Sequence, residues 1–207
     1  MARKLRINEA GLCYHVWING VAGQAIFRDA GDKDFMVELL RDEVALSSWS
    51  CLEYVVMSTH YHVFLRLRKP TLSSGFKRLN VRYARYFNRK YGKRGHVFDA
   101  RFHAKVAESR FSRLETIRYV ALNPVKANVC RAAEEYPWCG YGASIGRYAD
   151  NEIVDTRALL TLFGSRAAYR KYVEEPDERV RWGQSRARPR VTPRATATPR
   201  GSRAAVD

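Results

Sequence analysis

The sequence predicts an α+β fold: a ferredoxin-like, split-βαβ antiparallel sheet with helices on one face, followed by a C-terminal helical extension. Three observations carry this expectation. Short segments rich in β-branched and aromatic residues alternate apolar and polar positions, most clearly at residues 12–18 and 60–68. Longer segments between them space their apolar residues three and four apart. The resulting order is β-α-β-β-α-β, with further helices after it.

Taken in order, residues 12–18 read as a strand and 20–31 as a loop with Arg28 at its tip. Residues 32–46 carry apolar side chains at 35, 36, 39, 40 and 44, a helical spacing that Asp32 or a neighbour can cap. Residues 51–57 are β-rich, and the turn Ser58-Thr59 leads into a strand at 60–68 that Pro70 ends. Residues 71–91 form a long amphipathic helix. Leu72, Phe76, Leu79, Tyr83, Tyr86 and Phe87 line one side, and Arg78, Arg82, Arg85 and Arg89 form a stripe on the other. Gly92 and Gly95 break it. A strand follows at 102–108. Ser112-x-x-Glu115 reads as a capping box for a helix reaching Asn123, where Pro124 stops it. Residues 136–146 are a loop, and 156–173 a further helical stretch. The organisation expected is a catalytic-type domain at 1–150, a helical extension at 151–179 and a disordered basic tail at 180–207.

Charge narrows the function. Of 207 residues, 37 are Lys or Arg and 21 Asp or Glu, a net charge of +16. Residues 180–207 hold seven Arg against one acid, so removing them still leaves +10. Between 60 and 105 there are 13 Lys and Arg and one acid, Asp99, with nine aromatics interleaved. Basic groups neutralise phosphates and aromatic faces stack on unpaired bases, so the expected partner is nucleic acid. No run of about 18 apolar residues exists, so no membrane span is expected. Asn8, Glu9 and Gly11 interrupt the N-terminus where a signal peptide would be apolar. The expected location is the cytoplasm, nucleoid-associated if the source is bacterial. Cys13, Cys51, Cys130 and Cys139 are scattered without a C-x-x-C pair, which excludes a zinc ribbon and argues against a disulfide framework.

Two short constellations carry chemistry. His60 and His62 are i and i+2 on a strand, so both face one side with Phe64 and Arg66, while Tyr61, Val63, Leu65 and Leu67 face the other. Two imidazoles so placed can chelate a divalent ion, or can be ordinary strand histidines. Tyr119 and Asn123 are i and i+4 on one helix face. Asn123 offers a neutral carbonyl oxygen. Tyr119 offers a phenol that a nearby cation favours as phenolate, a nucleophile competent toward phosphorus. Each pair alone is also explained by packing and helix termination.

Together they resemble the single-tyrosine HUH transposases, and within them the REP-associated tyrosine transposases. The resemblance spans about residues 2–146. It includes Arg3-Lys4-Leu5-Arg6, Tyr14-His15-Val16, Ile26-Phe27-Arg28-Asp29, Tyr83-Ala84-Arg85-Tyr86-Phe87-Asn88, Gly95-His96-Val97-Phe98, Leu122-Asn123-Pro124-Val125-Lys126-Ala127 and Tyr136-Pro137-Trp138 through Tyr141. It implies His60, His62 and Asn123 as ligands of a divalent metal, Mg²⁺ or Mn²⁺, and Tyr119 as the nucleophile. It further implies nicking and strand transfer on single-stranded or palindromic hairpin DNA through a 5′-phosphotyrosine. The sequence departs from the family in having Ser58-Thr59 where Pro-Asn is common, and in having no His between Tyr119 and Asn123. Arg78, Arg82, Arg85 and Arg89 are candidate DNA contacts. His15 is expected to pack or to support the site from behind, packing being the simpler reading. A DNA-hairpin binder without chemistry and a zinc hydrolase are the competing functions. The second lacks a Cys, Glu or third His to finish its site. Monomer and dimer are both open.

Overall fold

A computed structural model describes residues 7–149 and 152–175. The segment expected as a basic tail, 180–207, lies outside the described residues, as do both ends of the extension expected at 151–179. Four strands, β1 (Cys13–Asn19), β2 (Ser50–Val56), β3 (His60–Arg66) and β4 (His103–Val106), form one sheet in the order β2-β3-β1-β4, every neighbour antiparallel. This is the split-βαβ arrangement that the element order predicts, with β1 inserted between β3 and β4.

Period-two alternation sorts the sheet into two faces. Tyr14, Val16 and Ile18 pair across β1 and β3 with Leu65, Val63 and Tyr61, and all six are essentially inaccessible. This face is covered by α1 (Ala30–Leu46) and α2 (Leu72–Lys90), which pack on each other. The Tyr61 hydroxyl donates to Asn80 Oδ1 of α2 at 2.7 Å. Asp29, not Asp32, caps α1, accepting from the Asp32 amide at 2.9 Å. Asp32 is instead fully buried, bonded by Lys90 Nζ at 2.7 Å and the Tyr91 hydroxyl at 2.7 Å, and so ties the start of α1 to the end of α2. Gly75 allows close approach: a Cβ there would lie 2.3 Å from the Trp49 ring, which stacks on Phe76.

The opposite face carries His15, Trp17, His60, His62 and Glu53, and C-terminal elements cover it. These are α3 (Arg110–Ala121), α4 (Asn123–Lys126), α5 (Tyr141–Ser144), α6 (Thr156–Phe163) and α7 (Arg166–Glu174). Here the sequence expectation is corrected three times. α3 opens at Ser109, whose side chain accepts from the Ser112 amide at 3.0 Å, so Ser112 closes the capping box rather than starting it. Glu115 is taken instead by the Tyr172 hydroxyl of α7 at 2.5 Å. Pro124 does not end the helical path. It sits in the first turn of α4, where its missing N–H is not needed, and the Lys126 amide reaches Leu122 O at 3.0 Å. The single stretch expected at 156–173 is two helices, divided where Gly164 adopts φ 88° and Ser165 caps α7. The Tyr169 hydroxyl of α7 donates to buried Glu53 Oε2 at 2.6 Å, so the extension shares the compact unit that runs to Glu175. Among the described residues no helix is long and apolar enough to cross a membrane, and the four cysteines are free.

Candidate active site

β3 leaves a turn pinned by main-chain bonds. The amides of Ile26 and Phe27 donate to Ser58 O at 2.9 and 3.0 Å, and that of Gly20 to Thr59 O at 2.8 Å. This fixes where His60 emerges, although Ser58-Thr59 departs from the Pro-Asn of the family it resembles. Register then sets His60 opposite Asn19 and His62 opposite Trp17 on β1, with His15 two residues further along the same face. A cleft of about 460 Å³ is lined by His15, Trp17, Asn19, His60, His62, Lys105 and Tyr119.

α3 and α4 deliver the other two candidates. The Tyr119 ring stands edge-on to His62 at 5.5 Å and to His15 at 5.7 Å between centroids. Asn123, the first residue of α4, places Oδ1 3.3 Å from His60 Nε2. The i, i+4 spacing survives the break between α3 and α4 because Leu122 keeps right-handed helical backbone angles. His60, His62, Tyr119 and Asn123, separated by about sixty residues of chain, thus meet at one place.

Burial shapes their electrostatics. His62 is 5% exposed, and desolvation holds its pKa well below the ordinary imidazole value, with His15 and His60 adding repulsion between the charged forms. Desolvation also lowers His60, opposed by its bond to Asn123. His15 falls to about 4, through burial first and the charge of Lys105 second. All three shifts favour the neutral imidazole. Lys126 Nζ lies 5.2 Å from the centre of the Tyr119 ring, and burial, then Arg118, pulls its pKa down to about 8.

The donor set fits a small divalent ion. The His60 and His62 imidazoles line the cleft and the Asn123 amide oxygen lies against His60, a mixture of borderline and hard donors suited to Mn²⁺ or Mg²⁺ more than to a thiolate-seeking metal. Among the described residues no group of three or more His, Cys, Asp and Glu side chains is gathered as a metal site.

The arginine stripe is divided. It lies on α2, across the sheet from the cleft. Arg78 is bound by buried Glu43 at 2.6 Å and by Ser47 at 2.9 Å, and Arg82 by Asp42 at 3.0 Å, so these two hold α2 against α1. Arg85 and Arg89 are exposed. Sequence reasoning did not single out Trp17, Asn19, Lys105 or Lys126. Lys126 was within its reach, being i+7 from Tyr119 on a continuing helical path.

The fold is similar to a solved structure, that of the REP-associated tyrosine transposase bound to a REP hairpin. The TM-score is 0.59 at 15% identity, covering 71% of this chain and 87% of that one. No family model matches the chain. No curated protein matches it.

Proposed function

We propose that this chain is a metal-dependent single-stranded DNA endonuclease and strand transferase, transposase-like, acting on palindromic hairpin DNA through a 5′-phosphotyrosine. The observation that carries the reading is the convergence of His60, His62 and Tyr119 on one cleft, with the Asn123 amide oxygen 3.3 Å from His60 Nε2. Fold likeness to a hairpin-bound transposase and the excess of positive charge support it.

His60 and His62, through ring nitrogens, and Asn123, through Oδ1, would hold Mg²⁺ or Mn²⁺. When bound, the ion polarises the scissile phosphate and neutralises charge developing on it. Tyr119 attacks phosphorus. A phosphotyrosine P–O bond forms, the P–O3′ bond breaks, and the departing 3′ oxygen leaves as a hydroxyl carrying one proton. A DNA hydroxyl reverses the step and so rejoins strands without an external energy source. The Lys126 ammonium over the Tyr119 ring sets a positive charge beside the attacking group and the phosphate it meets. Lys105 supplies a positive charge at the cleft mouth for the flanking phosphates, and Arg85 and Arg89 are free to meet duplex backbone on the α2 side.

Incubation of the protein with labelled hairpin DNA carrying single-stranded flanks and Mn²⁺, then boiling in detergent, tests this. Wild type should give a protein–DNA adduct. Tyr119→Phe should give none while binding the hairpin normally. His60→Ala and His62→Ala should lose the adduct and keep hairpin affinity within a few-fold. Binding without any adduct would replace this reading with that of a non-catalytic hairpin binder.

A further inference from the structure

His15 stands in a relation to His62 that neither the family resemblance nor the proposed chemistry uses. Its Nε2 lies 3.0 Å from His62 Nδ1, the two rings stack at 5.1 Å with an interplanar angle of 28°, and His62 is buried with His15 half-buried beside it. At that separation one nitrogen must carry the proton and the other must accept it. Two neutral imidazoles allow two arrangements. In one, His15 Nε2–H donates, so His62 carries its own proton on Nε2 and has no lone pair to give. In the other, His62 Nδ1–H donates, and His62 Nε2 keeps its lone pair.

We infer that His15 is a positioning residue that accepts the His62 Nδ1 proton, fixing His62 in the Nδ1–H tautomer and turning its Nε2 lone pair to the cleft. The choice between arrangements rests on the ligand role proposed above, since only the second leaves His62 a nitrogen able to bind an ion. The first nitrogen is spoken for by His15, so Nε2 is the one left. Metal-bound imidazoles generally give their other N–H to an acceptor that sets tautomer and ring angle, and His15 occupies that place. The β1–β3 register builds the contact: His15 is two residues from Trp17, the cross-strand partner of His62, and on the same face. An imidazole acceptor also leaves the buried pair uncharged, which suits a site with Lys105 and Lys126 already close by. His15 thereby acts through His62, not on DNA.

Two-bond ¹H–¹⁵N correlation spectra of histidine-labelled full-length protein, in EDTA at pH 7.5, read the tautomers directly. His62 is expected as Nδ1–H, the form that free imidazole side chains disfavour, and His15 with its Nε2 unprotonated. In parallel, Mn²⁺ binding is measured by electron paramagnetic resonance. His15→Phe, which keeps a ring in place but removes the acceptor, should weaken Mn²⁺ binding by roughly 10–100-fold. His15→Gln, whose amide oxygen can take the same proton, should restore it to within a few-fold. Hairpin affinity in EDTA should be alike in all three proteins. A His62 Nε2–H tautomer in wild type, or Mn²⁺ affinity unchanged in His15→Phe, would overturn the inference. If His15→Phe fails to fold, the wild-type tautomers and His15→Gln still decide it. Failure of wild type to bind Mn²⁺ at all would defeat the metal reading of the previous section, while the tautomers judge His15 separately.

Discussion

Twelve tyrosines compete for the role of nucleophile, and their surroundings separate them. Tyr61 lies between the two histidines in sequence, yet it is 1% exposed on the opposite face, bonded to Asn80, and burial pushes its phenol far above the ordinary value. Tyr61→Phe should therefore retain the covalent adduct, and mass spectrometry of the trapped complex should place the nucleotide on the peptide containing Tyr119. A nucleotide on any other tyrosine would end the assignment. Lys126 gives a second test. Because its pKa is about 8, its positive charge is present below that value and is lost as pH rises through it. Adduct formation should fall above pH 8 for want of that charge. Lys126→Met should slow it by about tenfold, about 1.4 kcal/mol of barrier, and remove the fall. An unchanged pH profile in Lys126→Met would exclude the role. Strand and helix periodicities pair His60 with His62 and Tyr119 with Asn123 on shared faces, and the family resemblance is what joined the two pairs into one expected site. The partnership of His15 with His62 was not legible in the sequence, because it depends on the register of two strands separated by the whole of α1 and β2.

At the level of elements, the sheet order and the two packing helices followed from periodicity, whereas helix ends were settled by tertiary partners. Ser109 and Ser112 can each cap a helix, and Glu115 could have closed the box with Ser112 had Tyr172 not engaged it. The Arg stripe shows the same limit: four side chains on one helix face are equivalent in sequence, but α1 places a carboxylate under only two. Arg78→Ala leaves the buried Glu43 carboxylate without its guanidinium and should cost about 2 kcal/mol in chemical denaturation. Arg85→Ala and Arg89→Ala should leave stability within about 0.5 kcal/mol and weaken DNA binding uniformly across sequences. The reverse pattern would make Arg78 a DNA contact after all. Glu53, which anchors α7 to β2, provides a pH test. Burial raises its carboxyl from 4.5 to about 7 against the bonds from Tyr169 and the Tyr54 amide. The folded state then binds more protons than the unfolded state between those values, so stability should fall as pH rises from 4.5 to 7, by roughly 3 kcal/mol in all. Glu53→Gln should flatten that slope. An unaltered slope would show that Glu53 ionises at its ordinary value.

For the molecule as a whole, net charge pointed to a polyanionic partner before any site was visible, since no fold needs +16 for its own stability. What charge could not reveal is that the cleft lies on one face of the sheet and the exposed Arg85 and Arg89 on the other. Fixed groups on a folded scaffold can discriminate among DNA structures; residues that act by charge alone can only add affinity. Residues 180–207 contribute six of the sixteen net charges through seven arginines, with no constellation resembling a site. Truncation after Arg179 should therefore weaken binding to hairpin and random DNA alike. It should also flatten the dependence of log affinity on log salt by about 0.7 for each single-strand phosphate no longer neutralised. Adduct formation at saturating DNA should be unchanged, because His60, His62, Tyr119 and Asn123 all lie within the unit ending at Glu175. Filter-binding titrations at several salt concentrations, with a hairpin and a scrambled strand of equal length, measure both terms. Loss of preference for the hairpin with an unchanged salt slope would mean that these arginines read DNA structure, and the assignment of discrimination to the folded unit would be wrong.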